Sequence, residues 1–385
     1  MIKCPLMERV RTDCRFLRGD RPCEPHKKEG VHCGQCAYYE PVRERVLIIK
    51  LDALGDVVRT TCILPALKKK RGRSQLTWIT MPDAVPLLEN NPFIDRVVAY
   101  GPDALGMLGV ERFDLVLCLD AAPRSAALGS VARGRIKKGF GLDAHGRVFP
   151  FNLEAREWFL MGLFDDVKKR NTRTYQQIVM EICGLKGLDQ EIVLRLTDEE
   201  RAFARRFAER AGLPASGVKS GKGLKVVGVN TGSGSRWPMK QWPIPQCVDF
   251  IGGLLAEKRF NVLLFGGEEE CARNRQIREA AGEGLIDTGC RNSLREFISL
   301  VDLCDVLVTS DTLGLHVAIG LGKKVVGLFG PTSAAEIDMY GRGVKIVPDA
   351  DCSCCYRRTC SRTPSCMDMI SADAVRGAVE KVLAG

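Results

Sequence analysis

Short apolar runs closed by a glycine or an acid recur along this chain at a spacing that fits alternating strands and helices. The runs at 45–51, 76–80, 95–99 and 113–119 predict strands, with helices at 56–70, 83–89 and 122–132 between them. The stretch 140–175 carries a weaker pattern, read as loops and a helix ending near Cys183. Thr197-Asp-Glu-Glu200 is a capping box, and it opens an amphipathic helix to about Ala211. A Gly-, Ser- and Lys-rich stretch at 214–223 reads as a linker. A second series then predicts strands at 225–230, 260–265, 305–309 and 323–329. Its helices fall at 240–257, 269–281, 293–303 and 312–321, and a last one at 371–383. Short apolar strands separated by helices imply parallel sheets covered on both faces. The expected fold class is α/β, with two Rossmann-like doubly wound domains of similar size facing a cleft.

Composition narrows the class. Hydrophobic residues make up 45% and charged residues 27% of the 385 positions, globular values that argue against extensive disorder. No apolar run approaches the roughly 18 residues a membrane span needs, and the first residues lack a signal-peptide core, so a cytoplasmic protein is expected. Lys and Arg exceed Asp and Glu by 57 − 47 = +10, which favours anionic partners. Two basic runs stand out, at 68–73 and 133–138. Solvated helix ends and loops are the plain reading of both. Aromatics are 6% and none is interleaved with these runs, so nucleic acid is not the expected partner.

Two segments carry most of the chemistry. In the first, a buried strand runs through Lys50 into Leu54-Gly55-Asp56, a tight turn that sets a carboxylate at a helix start. Asp56 there either caps the helix or takes a proton from an acceptor hydroxyl. The G-x-G-x-x-G fingerprint is absent, which counts against a nicotinamide dehydrogenase. In the second, Asp311-Thr312-Leu313-Gly314-Leu315-His316 follows a strand, so free N–H groups at a helix start offer an anion site. Thr312 adds a hydroxyl, and His316 either reaches a phosphate oxygen or is a core histidine. A third piece, Thr231-Gly232-Ser233, is a donor-rich loop with Arg236 and Lys240 close behind, suited to a diphosphate without a metal. Glu268, in a glycine turn after a strand, stands where an acceptor for ribose hydroxyls would.

Seventeen cysteines are many, and nine of them cluster. Cys14, Cys23, Cys33 and Cys36 make a set with a C-x-x-C pair, although the longer spacings exceed those of common zinc fingers. Cys352, Cys355, Cys360 and Cys366 make a second set, with Cys354 beside it. Structural zinc, or iron in a four-thiolate site, is one reading of each; free thiols or disulfides formed on oxidation are the other. Neither set falls in the strand-end segments, so catalysis by cysteine is not expected.

With these motifs in hand, the chain resembles glycosyltransferase family 9, whose members include ADP-heptose:lipopolysaccharide heptosyltransferases. The resemblance rests on Val46–Lys50 with Gly55-Asp56-Val57, on Pro86-Leu-Leu-Glu-Asn-Asn-Pro-Phe-Ile-Asp95, on Arg236-Trp-Pro, and on Ser310-Asp-Thr with His316 and Leu328-Phe-Gly-Pro331. It spans roughly 45–335. It implies a GT-B fold and an inverting transfer that needs no metal for catalysis. It also implies ADP-heptose as donor and the Kdo–heptose inner core of lipopolysaccharide as acceptor. Asp56 would then be the general base, Asp311 to His316 the donor-diphosphate site, and Glu268 the acid near the ribose. The chain departs from its relatives at Leu313, where many have glycine, and at Ser235-Arg236, where a lysine is common. Contact with the cytoplasmic face of the inner membrane would follow, with the basic runs attracting the phosphorylated acceptor. The domains implied are a cysteine-rich module at 1–40, an acceptor domain at 41–195, a nucleotide-sugar domain at 196–345, and a cysteine-rich segment with a helix at 346–385. The rivals are the same fold with another nucleotide sugar or a protein acceptor, and a non-catalytic cysteine-rich module that binds nucleotide or glycan.

Overall fold

The computed structural model describes residues 9–188, 191–213, 224–234 and 237–384. The 214–223 linker, and Ser235 and Arg236, lie outside them. Two six-stranded sheets carry the chain. The first holds β1 (Glu44–Ile49), β2 (Ser74–Thr80), β3 (Arg96–Ala99), β4 (Arg112–Cys118), β5 (Arg133–Leu142) and β6 (Val148–Pro150). The second holds β7 (Lys225–Asn230), β8 (Phe260–Phe265), β9 (Leu285–Asp287), β10 (Val306–Ser310), β11 (Lys324–Leu328) and β12 (Gly343–Ile346).

The strand orders are β3-β2-β1-β4-β5-β6 and β12-β11-β10-β7-β8-β9. Both are the same doubly wound order, 3-2-1-4-5-6, and only β6 runs antiparallel to its neighbour. Each sheet therefore reverses its winding between its first and fourth strands, at β1/β4 and at β7/β10. A crevice opens there at the carboxyl ends of the strands. The two-domain GT-B arrangement implied by the resemblance is the observed one.

The apolar runs form the strands because both sheet faces are covered. Val46, Leu47, Ile48 and Ile49 are fully buried in β1, and Val227, Val262, Leu264 and Val306 are equally buried in the second sheet. At about 25 cal/mol per Å² of apolar surface, such positions carry the core. The expected capping box holds: the Thr197 hydroxyl accepts from Glu200 N at 3.2 Å, and Thr197 N donates to the Glu200 carboxylate at 2.8 Å. That helix, Asp198–Arg210, packs on Leu294–Val301 of the second domain, and Arg295 ties them through Glu200 at 2.5 Å.

Several expectations need correction. The helix expected over 56–70 is two, Leu54–Thr60 and Leu64–Arg71, joined by a 3-10 turn where Pro65 cannot continue the hydrogen-bond ladder. The basic run 133–138, read as a helix end or loop, is the start of β5, paired with β4. Its cations stand on an edge partly open to solvent, which hides the strand's period. The region 140–175 holds β6 and the helices Arg156–Leu163 and Asp165–Arg170, followed by Tyr175–Cys183. No described helix is long and apolar enough to cross a membrane.

Candidate active site between the two sheets

The two devices singled out in the sequence meet face to face. Helix Leu54–Thr60 leaves β1 and helix Leu313–Gly320 leaves β10, and the two pack against each other across the cleft. The approach is close. A Cβ on Gly55 would lie 2.5 Å from His316 Cδ2 and 3.2 Å from Nε2, so only a glycine fits there.

Asp56 is the third residue of its helix, not the cap. Ala53 holds the cap position, and the Asp56 carboxylate goes instead to Arg59, which donates from Nε at 2.9 Å and Nη2 at 2.7 Å. Lys50 Nζ stands 3.7 Å away on the other side. Burial alone would raise the Asp56 pKa, but Arg59, Lys50 and the nearby His316 outweigh it and hold the carboxyl well below the usual range. The cations are held from below. Lys50 donates to Asp120 and, at 2.9 Å, to the Asp52 carbonyl. Asp120 in turn accepts from Leu51 N at 2.6 Å and the Ser125 hydroxyl at 3.0 Å. Arg59 lies over the Tyr175 ring at 3.8 Å, and that phenol meets the Thr60 hydroxyl at 2.5 Å. Burial pushes the Tyr175 phenol up to about 12, so it stays neutral.

Across the cleft, the Thr312 hydroxyl is fixed by Thr309 at 3.1 Å and accepts from Asn230 Nδ2 at 3.2 Å. Gly314 allows this: a Cβ there would lie 2.8 Å from the same amide. Leu313 opens the helix. Lys240, in a 3-10 turn after β7, donates to the Asp311 carbonyl at 2.8 Å and its carboxylate at 3.1 Å. Burial favours the protonated Asp311, but Lys240, His316 and Arg59 together pull its pKa down. His316 is buried, with Nε2 3.8 Å from Asp311 and Nδ1 without a hydrogen-bond partner among the described residues. Desolvation, with Arg59 beside it, lowers its pKa to about 4, so the imidazole is neutral near pH 7.

The loop after β7 is braced from beneath. Thr231 donates to Asn274 Oδ1 at 2.5 Å, and Glu270 accepts from Ser233 N at 3.3 Å and Gly267 N at 2.9 Å. Gly232 sits against the same carboxylate, since a Cβ there would lie 3.4 Å from it. Glu268 is exposed at the rim of this turn, while Glu270 is buried beneath it. The structure thus gathers Asp56, Asp311, Thr312, Leu313, Gly314, His316 and Lys240 around one cleft. Thr231, Gly232, Ser233 and Glu268 follow the carboxyl ends of β7 and β8, and Arg236 lies outside the described residues.

Sequence reasoning missed Lys50, Arg59, Asp120, Tyr175, Asn230, Asn274 and Glu270 as parts of the site. Arg59 had a local signal, its i+3 spacing from Asp56, and Lys50, Asn230 and Glu270 lie beside the motifs in the chain. Asp120, Tyr175 and Asn274 are brought in from distant segments.

The cysteines differ from expectation. Cys14, Cys23, Cys33 and Cys36 line one small cavity with Phe16, Leu17 and Val31. Yet among the described residues no three His, Cys, Asp or Glu side chains are placed to hold a metal ion. Neither that set nor Cys352, Cys355, Cys360 and Cys366 has ligand geometry, and the zinc or iron reading finds no support. All sixteen described cysteines are unpaired, most of them buried or half-buried. The second cysteine segment does reach the cleft, contrary to expectation. Tyr356 within it stacks edge-on to Trp237, with ring centroids 6.2 Å apart.

Comparison with known proteins agrees with this architecture. The family model described as "Glycosyltransferase family 9 (heptosyltransferase)" matches residues 106–365. Lipopolysaccharide heptosyltransferase 2 of Escherichia coli K12 is 30% identical over 317 residues, covering 75% of this chain and 83% of that protein. A glycosyltransferase family 9 structure from Veillonella parvula superposes with a TM-score of 0.73 at 20% identity, covering 90% of this chain and 98% of that one. The E. coli heptosyltransferase WaaC with ADP-2-deoxy-2-fluoro heptose gives 0.57 at 20% identity, over 88% of this chain and 99% of that one.

Proposed function

The chain belongs to glycosyltransferase family 9, the heptosyltransferases, and on that premise we propose that it moves heptose from ADP-heptose to the Kdo–heptose inner core of lipopolysaccharide, with inversion and without a metal. One observation carries the reading. A carboxylate kept ionised on the first domain faces a helix start armed with a lysine on the second, and the Gly55–His316 contact brings the two together. The relative solved with ADP-2-deoxy-2-fluoro heptose supports an ADP-sugar donor.

The chemistry then runs as follows. The acceptor hydroxyl oxygen attacks the anomeric carbon from the Asp56 side and its proton passes to the Asp56 carboxylate. The bond from the anomeric carbon to the diphosphate oxygen breaks, and its electron pair leaves with ADP. The N–H groups opening helix Leu313–Gly320, the Thr312 hydroxyl and Lys240 stabilise the charge that accumulates on that diphosphate. A neutral His316 suits this step, since it donates one N–H without holding ADP too tightly. The depressed pKa of Asp56 makes it a weak base at rest. It accepts a proton only as the developing oxocarbenium ion acidifies the attacking hydroxyl.

The membrane contact also has support. Seven of the thirteen exposed large apolar side chains fall between Val131 and Phe164. Leu160 and Leu163 of helix Arg156–Leu163, and Phe164 just past its end, are exposed, while Trp158 of the same helix packs on Tyr175 of the site, at 5.2 Å between ring centroids. Residues 131–173 hold ten Lys and Arg against five Asp and Glu, half the chain's net +10. An apolar face flanked by cations fits an anionic bilayer carrying the acceptor, at the cytoplasmic side of the inner membrane.

The deciding experiment is mass spectrometry of heptose-deficient Kdo-lipid A after incubation with ADP-heptose, using wild type and Asp56→Asn. A gain of one heptose that falls by about 10²–10⁴-fold in the variant is expected. No gain with folded wild type would overturn the donor and acceptor assignment. Donor binding without turnover on any acceptor would favour a binding module.

A further inference from the structure

The cysteine-rich segment after β12 is not part of the chemistry described above, yet it folds onto the cleft with a specific outcome. Cys354 N donates to the Gly330 carbonyl at 3.2 Å and Tyr356 N to the Pro331 carbonyl at 2.8 Å, zipping the segment onto the turn that ends β11. Cys366 closes the contact from behind, where a Cβ on Gly330 would lie 2.5 Å from its sulfur. Cys354 and Tyr356 both take left-handed backbone conformations, with φ of 59° and 51°, which non-glycine residues adopt rarely.

That conformation turns the Tyr356 phenol inward. Its oxygen accepts from Ser333 N at 3.2 Å and donates to Glu336 Oε1 at 3.3 Å. Lys168 of the first domain stands over the ring, 4.3 Å from its centroid. Glu336 is anchored in turn, since its carbonyl accepts from Tyr175 N at 2.9 Å. Burial raises the Glu336 pKa, and its carboxyl lies in the field of Arg59, Asp311 and Asp56. The ring of Tyr175, the residue that anchors the Glu336 carbonyl, lies under Arg59, the partner of Asp56, so Glu336 stands beside the base. Both Glu336 and its brace follow β11 in the chain, in the half that carries Asp311 and Thr312. A sugar hanging from a diphosphate at the start of helix Leu313–Gly320 must pass between that half and Asp56.

We propose that Glu336, oriented by Tyr356, hydrogen-bonds a hydroxyl of the transferred sugar and so contributes to donor selection. This rests on the ADP-heptose reading. A carboxyl group at hydrogen-bond distance from a sugar hydroxyl is a strong discriminator, because a donor lacking that hydroxyl leaves a half-buried polar group unmatched. Tyr356 is a positioning residue: it holds one carboxyl oxygen and leaves the sugar to Glu336. The cysteine-rich segment would then serve recognition by placing that phenol.

The test is calorimetric titration of ADP and of ADP-heptose into wild type, Glu336→Ala, Glu336→Gln and Tyr356→Phe. ADP lacks the sugar and reports on the fold and the diphosphate site. The expected result is an ADP Kd within about 2-fold of wild type in every variant. ADP-heptose should weaken by about 10–100-fold in Glu336→Ala and by a smaller factor in Glu336→Gln and Tyr356→Phe. An unchanged ADP-heptose Kd in Glu336→Ala, or equal weakening of both ligands, would overturn the inference while leaving the donor reading in place. A folded wild type that binds ADP but not ADP-heptose would overturn the donor reading and this inference together.

Discussion

Adding one methyl group at Gly55 should separate the requirements of catalysis from those of stability. The Ala Cβ would fall 2.5 Å from His316 Cδ2, whereas ordinary contacts begin near 3.4 Å, so about 1 Å must be found. The ring has little freedom to give way, being buried where helix Leu313–Gly320 packs on helix Leu54–Thr60, and flanked by Asp311. The helix that carries Asp56 must shift instead. Alanine improves the helix by about 1 kcal/mol over glycine. Overpacking costs about 1–3 kcal/mol, so the net effect on stability should be small, about 0–2 kcal/mol of loss. Activity is more sensitive, because a displacement of about 1 Å between reacting groups costs on the order of 10²-fold. The assay is kcat/KM for heptose transfer beside a thermal melt, in Gly55→Ala, His316→Ala and the double variant. Removing the ring removes the clash, so the double variant should be no worse than His316→Ala alone. A Gly55→Ala enzyme within 3-fold of wild type, or a double variant whose losses simply add, would refute the close-contact argument.

Three further outcomes are expected. His316 has a folded pKa near 4 and an unfolded value near 6.5, so the unfolded chain binds more protons between these limits and stability falls as pH drops through them. The loss is about 3 kcal/mol; denaturant melts at pH 6.5 and pH 4 should show it, and His316→Gln should flatten it. Glu270→Gln removes the carboxylate that accepts from Ser233 N and Gly267 N, so the donor KM should rise about 10-fold with kcat little changed; a fall in kcat alone would contradict the bracing role. Leu160→Ser/Leu163→Ser/Phe164→Ser should lower binding to phosphatidylglycerol-containing vesicles by at least about 10-fold in flotation, while leaving activity on a detergent-solubilised acceptor intact. Equal flotation of variant and wild type would remove that face from the membrane contact.

The sequence alone carried the two-domain α/β architecture, because strands buried on both faces leave unbroken apolar runs such as Val46–Ile49, which need no partner to be recognised. It also located Gly55-Asp56 and Asp311 to His316, since strand-end turns and helix starts are written in consecutive residues. It could not read β5 or β6, where an exposed sheet edge lets Arg133, Arg135 and Lys137 obscure the period. Nor could it tell whether Asp56 capped its helix. Ala53 holds that position, and the Asp56 carboxylate goes to Arg59 and Lys50, whose charge is fixed by Asp120 from beyond the end of β4, 70 residues away. The contact of Gly55 with His316 and the arrival of Tyr356 beside Glu336 are likewise tertiary facts. Local motifs record what a segment can offer a ligand. Which charges hold a carboxylate ionised, and which side chains share one cleft, depend on distances that only the packed chain sets.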